Sequence, residues 1–337
     1  MATTDEHFSV RERGAVWVTG GAGFIGRALT AALEARGIAT RCVDHRLPPR
    51  ADSPHSVAQM CTEAVRAELE RARSVVHLAS RVGVRTVVRD PAAVGAENRA
   101  SARALVEALA PLPFARRPRV LSASTSEVYR PANRPLGEDD PLRGVDENGR
   151  WSYAASKVEA ERILDAAHLW EPARGAVHLR FFNVVGPGQD SAQGMVLPIF
   201  VEHALRGLPI PVHGDGSAVR TLAHVDDVAA TLCALIEHAH LPAGPLNVGG
   251  TARASVLEIA ECVLALSGSR AGIVRVDPKE TVGAAFEDIA WREPDLTRLA
   301  ALGVPVPSRS LEAIVRDTLA RHEALKPRRE TCGSRAS

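Results

Sequence analysis

Tyr153 and Lys157 stand four residues apart in WSYAASKVEAERIL, one helical turn, so their side chains share a face. A tyrosine with a pKa near ~10 is a poor base at neutral pH, but a lysine cation one turn away favours the tyrosinate. Such a pair can take the proton from a hydroxyl. Taken alone, it is also what many exposed helices carry. A second set of proton-handling groups lies in SASTSEVYR (122–130), which holds Thr125, Ser126 and Glu127. Serine and threonine gather in turns, so this stretch by itself reads as a polar turn at a strand end.

The surrounding elements change that reading. TGGAGFIG (19–26) lies between an apolar strand, AVWVT (15–19), and a helix, FIGRALTAALEARG (24–37), closed by Gly37. Gly20, Gly21, Gly23 and Gly26 let the backbone approach a pyrophosphate, whose charge sits on the helix N-terminus. Asp44 ends the next strand, ATRCVD (39–44), where a carboxylate accepts from ribose hydroxyls and repels a 2′-phosphate. The cofactor is therefore expected to be NAD, with Arg46 leaving a small opening for NADP. A positive nicotinamide beside the tyrosine adds to the pull on its proton, and the Thr125 hydroxyl can bridge a substrate oxygen and Tyr153 as a relay.

Strands at 74–79, 119–124 and 176–181 alternate with helices at 92–110 and from about Trp151 to Trp170. This alternation predicts an α/β fold, a Rossmann-type doubly wound parallel sheet. After about Gly186 the pattern loosens into a glycine-rich loop and shorter elements. They include a sheet-flanking helix at 224–239 and one at 255–266 opened by a Ser255/Glu258 capping box. The expected division is an NAD-binding domain at 14–182 plus about 222–250, and a smaller C-terminal α/β substrate domain at 183–221 plus 251–325. Residues 1–13 and 326–337 are expected to be flexible termini.

Hydrophobic residues make up 45% and charged residues 24% of the 337, which is enough for a core. A net charge of +1 with mixed signs argues against nucleic acid or an anionic membrane as partner. Five scattered cysteines without a CxxC pair predict neither a disulfide framework nor a metal site, and fit a reducing cytoplasm. MATTDEHFSVRERG lacks the apolar stretch of a signal peptide, and no run of about 18 apolar residues predicts a membrane span.

The combination TGGAGFIG, Asp44, VVHLAS, STSEVY and YAASK resembles the extended short-chain dehydrogenase/reductases, and more narrowly their nucleotide-sugar epimerase/dehydratase family. HLASRVGVRTVVRDP (77–91) looks like that family's loop after its fourth strand. RFFNVVGPGQ (180–189), the stretch 194–229 and REPDL (292–296) are similar to its later signatures. The resemblance implies cofactor contacts from Gly20, Gly23, Phe24, Ile25, Gly26, Asp44, Leu78, Ala79 and Asn98, together with Tyr153 and Lys157. It gives Asn98 a structural or water-holding role. It also implies that Asn183 faces a substrate diphosphate, with Arg220 and Arg292 neutralising its charge, and that the chain pairs as a homodimer. The chain departs from the family pattern at Ser80, Ser101 and Arg130, the last expected to face solvent. SVAQMCTE (56–63) lacks the aspartate that often holds adenine.

The chemistry implied by the resemblance is transient oxidation of a nucleotide sugar at C4 by tightly held NAD. Thr125, Tyr153 and Lys157 would be the catalytic set, with Ser126 and Glu127 beside them. Return of hydride to the other face gives 4-epimerisation, the expected reaction. Loss of a C6 carboxylate, as in sugar-uronate decarboxylases, and 4,6-dehydration are the alternatives, and both would use Glu127. Ser126 stands where dehydratases carry a second acid, which counts against dehydration. A non-catalytic NAD-binding sensor is disfavoured, since it has no need of Thr125, Tyr153 and Lys157 together.

Overall fold

The structure is a computed structural model that describes residues 14–47, 54, 56–144, 149–167, 175–281 and 289–325. Its centre is a six-stranded parallel sheet. The strands are β1 (Val16–Thr19), β2 (Thr40–Val43), β3 (Ser74–His77), β4 (Arg119–Thr125), β5 (Val177–Phe181) and, after three strands elsewhere, β9 (Gly244–Val248). Their order is β2-β1-β3-β4-β5-β9, so the chain reverses direction across the sheet between β1 and β3. The carboxyl ends diverge there and open the crevice in which such sheets bind ligands.

The apolar strands follow from burial on both faces. Val16 and Val18 join one core with Leu29 and Leu33 of α1 (Phe24–Glu34) and with Val228 and Leu232. Trp17 points into a different core with Leu105, Leu109 and Leu164. That second face is covered by α4 (Pro91–Leu109) and α5 (Ser152–Ala166), which follow the short helices α2 (Glu63–Leu69) and α3 (Val84–Arg89). Pro91 at the first turn and the Asp90 carboxylate on Ala93 N fix where α4 begins.

The expected elements form with small shifts at their ends. α1 stops at Glu34, and Gly37 takes the left-handed conformation (φ +68°) that ends the turn. α5 ends at Ala166, and part of the stretch expected to be helical beyond it lies outside the described residues. The strand before the 77–91 loop is the third of the described strands rather than the fourth. Val57–Cys61 winds into a 3-10 turn that buries Val57 and Met60, and 84–89 of that loop is helical. The expected flexible termini also lie outside the described residues.

A third core is lined by β6 (Val184–Val185), α6 (Val196–Leu205), β7 (Ile210–His213), β8 (Val219–His224), β10 (Ala252–Ser255), α8 (Val256–Ser267), β11 (Ile273–Val276) and the last helix, Leu311–Leu325. β12 (Trp291–Arg292) pairs with β8 beside it. β8 is flanked by β10 and β12 and leads into α7 (Val225–Glu237), which packs with α1 against the large sheet. The capping box at the start of α8 is formed: Glu258 N donates to Ser255 Oγ (3.1 Å) and Ser255 N to Glu258 Oε2 (2.7 Å). No helix of the described residues is long and apolar enough to cross a membrane.

Candidate active site

The glycine loop lies at the crevice. Gly20 leaves β1 at φ +73°, with its N–H on Val43 O (2.8 Å). A Cβ on Gly20 would stand 2.8 Å from Ala79 N, and one on Gly23 2.9 Å from Gly20 O. A Cβ on Gly26 would run into Gly20 O. Only bare backbone fits, and Phe24 and Ile25 begin α1 with no side-chain cap on its first amides. These residues fit a dinucleotide, with the helix amides for the pyrophosphate and Asp44 at the far end of the loop.

Asp44 is buried and accepts from Ala22 N (3.1 Å) and Arg46 N (3.0 Å) and from the Arg46 guanidinium. Burial pushes its carboxyl up, but the hydrogen bonds and charge of Arg46 and the Ala22 amide outweigh it, and the pKa is held below the ordinary value. On the other side, Thr19 Oγ1 meets His77 Nδ1 (2.8 Å) and accepts from Ala79 N (3.3 Å), which sets the backbone of Leu78 and Ala79 beside the loop. Burial, and then the Lys157 charge, push His77 down to about 3, so it stays neutral. Arg27 bridges the glycine loop to the later glycine-rich loop through Ala22 O (2.6 Å) and Gly188 O (3.0 Å).

Asn98, buried on α4, donates to Arg81 O (3.3 Å) and Ser156 Oγ (3.2 Å) and accepts from Ser80 Oγ (3.0 Å) and Arg81 N (2.8 Å). It ties the loop after β3 to α5 and gives Ser80 a partner. Ser156 Oγ in turn donates to Tyr153 O (2.7 Å). Tyr153 is half-buried in the first turn of α5, and Lys157 follows one turn later. The Lys157 ammonium is buried and donates to Ala123 O of β4 (2.8 Å). Burial lowers its pKa to about 8 against the upward pull of Glu161.

Thr125, the last residue of β4, caps the 3-10 turn Ser126–Val128 by accepting from Glu127 N (3.3 Å). Ser126 and Glu127 are buried and meet Arg292. Arg292 Nη2 and Nε donate to Ser126 Oγ (2.6 and 3.2 Å), and Nη1 to Glu127 Oε1 (3.4 Å). These bonds set its guanidinium on the turn after Thr125. β12 brings it there in register with Arg220 of β8, the other arginine expected to meet substrate. Arg220 is buried and donates to Val219 O (2.9 Å) and Ile289 O (2.6 Å). Asn183 takes a left-handed conformation (φ +35°) and donates to Thr221 O (3.1 Å) on the same strand. Arg130 is exposed, as expected, and its Nε donates to Leu142 O (3.1 Å).

Tyr129, the other tyrosine, is structural. Its hydroxyl donates to Asn247 Oδ1 (2.6 Å) and accepts from Arg180 Nη1 (3.1 Å), and burial pushes it up to about 12. Sequence reading missed the group behind it. Arg180 of β5 pairs with Glu161 of α5 through Nη2 and Nε (2.7 and 3.1 Å), and Glu161 also accepts from Ser124. The available signal was a charged residue inside the otherwise apolar run AVHLRF, and a glutamate one turn past Lys157.

The sheet, glycine loop and Tyr/Lys helix define a dinucleotide-dependent enzyme of the extended short-chain dehydrogenase/reductase class. Residues 16–249 match the NAD dependent epimerase/dehydratase family. The chain is 31% identical over 314 residues to a UDP-N-acetyl-alpha-D-glucosaminuronate decarboxylase of Bacillus cytotoxicus, covering 90% of this chain and 95% of that one. Among solved structures it resembles MoeE5 in complex with UDP-glucuronic acid and NAD (28% identity, TM-score 0.76, 92% and 99% of the two chains). It also resembles the UDP-glucose 4-epimerase of Thermus thermophilus in complex with NAD (25%, 0.73, 92% and 99%). The chain belongs to the NAD-dependent epimerase/dehydratase family, whose members epimerise, decarboxylate or dehydrate nucleotide sugars.

Proposed function

We propose that the chain decarboxylates a nucleotide-linked hexuronic acid through a 4-keto sugar. The observation that carries this reading is the Arg292 guanidinium held against Ser126 and Glu127 next to Thr125. A buried carboxylate alone would repel a sugar acid; paired with arginine, it leaves a site that admits one. The relative from Bacillus cytotoxicus, which matches nearly end to end, acts on a sugar of that kind.

Tyr153, as tyrosinate beside Lys157, takes the proton from the C4 hydroxyl, and Thr125 bridges the two oxygens. The glycine loop and Asp44 would hold NAD, which would supply a reversible hydride acceptor for C4. The C6 carboxylate then lies β to a ketone. The C5–C6 bond breaks, carbon dioxide leaves, and the electron pair forms an enolate across C4 and C5. Charge thus moves from the carboxylate to O4, where the Tyr153 and Thr125 hydroxyls stabilise it. A solvent proton relayed through Glu127 then reaches C5, giving a 4-keto pentose whose C4 can take the hydride back.

A second reading, 4-epimerisation, uses the same Thr125, Tyr153 and Lys157 and is favoured by the likeness to the Thermus epimerase. It gives Glu127 no proton to move and Arg292 no sugar carboxylate to admit. Incubation with a panel of nucleotide sugars, followed by mass spectrometry, distinguishes the two. Decarboxylation predicts loss of carbon dioxide from a uronate; an unchanged mass with an inverted C4 centre contradicts it.

A further inference from the structure

A carboxylate offers about four lone-pair directions, and those of Asp44 are all taken. Oδ1 accepts from Arg46 N and Nε (3.0 Å each), and Oδ2 from Ala22 N (3.1 Å) and Arg46 Nη2 (2.8 Å). The Asp44 side chain is 2% exposed and that of Arg46 is 50% exposed. Arg46 therefore lies across the carboxylate on its solvent side, with Nη2 3.5 Å from where a Cβ on Gly23 would stand. Three of the four bonds come from one residue, and Nη1 of that guanidinium has no partner among the described residues.

This arrangement bears on which adenosine ribose the site accepts. A ribose diol donates to Asp44 only by displacing a contact from Arg46, so Arg46 works against NAD. A 2′-phosphate has no such need. A bare carboxylate would repel it, but here it meets a neutralised pair with an unused guanidinium edge, whose fork suits phosphate oxygens. We infer that Arg46, by masking Asp44, makes the adenosine-ribose site accept a 2′-phosphorylated dinucleotide as well as NAD. Arg46 is then a specificity-determining residue of the cofactor site, independent of which sugar reaction follows.

The test is isothermal titration of the full-length chain, freed of carried-over nucleotide, with NAD+ and with NADP+. It compares wild type with Arg46→Ala, Arg46→Gln and Arg46→Lys, and reads the ratio of the NADP+ dissociation constant to that of NAD+. The expected result is a ratio that rises about tenfold or more in Arg46→Ala, the size of losing one charge-assisted contact to the phosphate, while NAD+ binds at least as tightly as before. Arg46→Lys, which keeps the charge without the fork, falls between. A ratio that changes less than about tenfold in Arg46→Ala, or that falls, overturns the inference. NAD+ binding by the variant reports that its site is folded. If Arg46→Ala binds neither nucleotide, Arg46→Gln is judged by the same ratio and the same threshold.

Discussion

At the scale of residues, we propose that Lys157 sets the pH dependence of turnover. In the free protein burial brings its pKa down to about 8, so the cation that supports a Tyr153 base is lost as pH rises through that value. The profile of kcat/KM, which reports the free enzyme, should fall above about pH 8, and Lys157→Met should lack that limb. The effect on stability has the opposite sense. Between about 8 and the ordinary lysine value of 10.5 the unfolded chain binds more protons than the folded one, so this group makes stability rise with pH across that window. Tyr153→Phe should lower turnover by at least about a thousandfold, from loss of both its base function and its hydrogen bond to O4, while substrate affinity stays within a few-fold. Glu127→Gln should stop proton delivery to C5, read as lost deuterium incorporation there. The Tyr/Lys pair, the glycine loop and Asp44 were legible because one short segment carries each. Arg292 on Ser126 and the Arg46 clasp on Asp44 were not, because the first spans the chain and the second depends on a rotamer.

At the scale of elements, β4, β5 and α5 act as one block. Lys157 is fixed to β4 through Ala123 O, and the next turn of α5 is pinned to β5 by the buried Glu161–Arg180 pair. Removing Glu161 leaves a buried guanidinium with its main counter-charge gone. Glu161→Ala should therefore cost about 3–5 kcal/mol in denaturant unfolding. Replacing the α8 cap, Ser255→Ala, should cost only about 1 kcal/mol in the same measurement. Apolar runs and capping residues announced most strands and helices within a few residues of their ends. The 3-10 turn at Val57–Cys61 gave no such signal, since a short mixed segment has no period to read, and burial of Val57 and Met60 decides it. Arg180 was hidden for a related reason: its partner lies on a different element, and only the packing of α5 on β5 joins them.

At the scale of the molecule, the carboxyl ends of the large sheet supply the cofactor loop and the proton-handling residues, while β8, whose Leu222 joins a different core, and its neighbour β12 bring Arg220 and Arg292. We propose that the second group of elements carries the nucleotide sugar. On the proposed route hydride is taken from and returned to the same sugar, so turnover should proceed without stoichiometric added reductant, and a continuous demand for NADH would contradict this. Arg292→Ala should lower kcat/KM for a sugar acid by about 10²–10³-fold and have little effect on binding of a neutral nucleotide hexose. The central claim is loss of C6 as carbon dioxide. The most direct measurement is mass spectrometry of a nucleotide hexuronate labelled with carbon-13 at C6, incubated with the purified chain. The account predicts labelled carbon dioxide and a nucleotide pentose without the label; a product that keeps the label at C6, with C4 inverted, would contradict it.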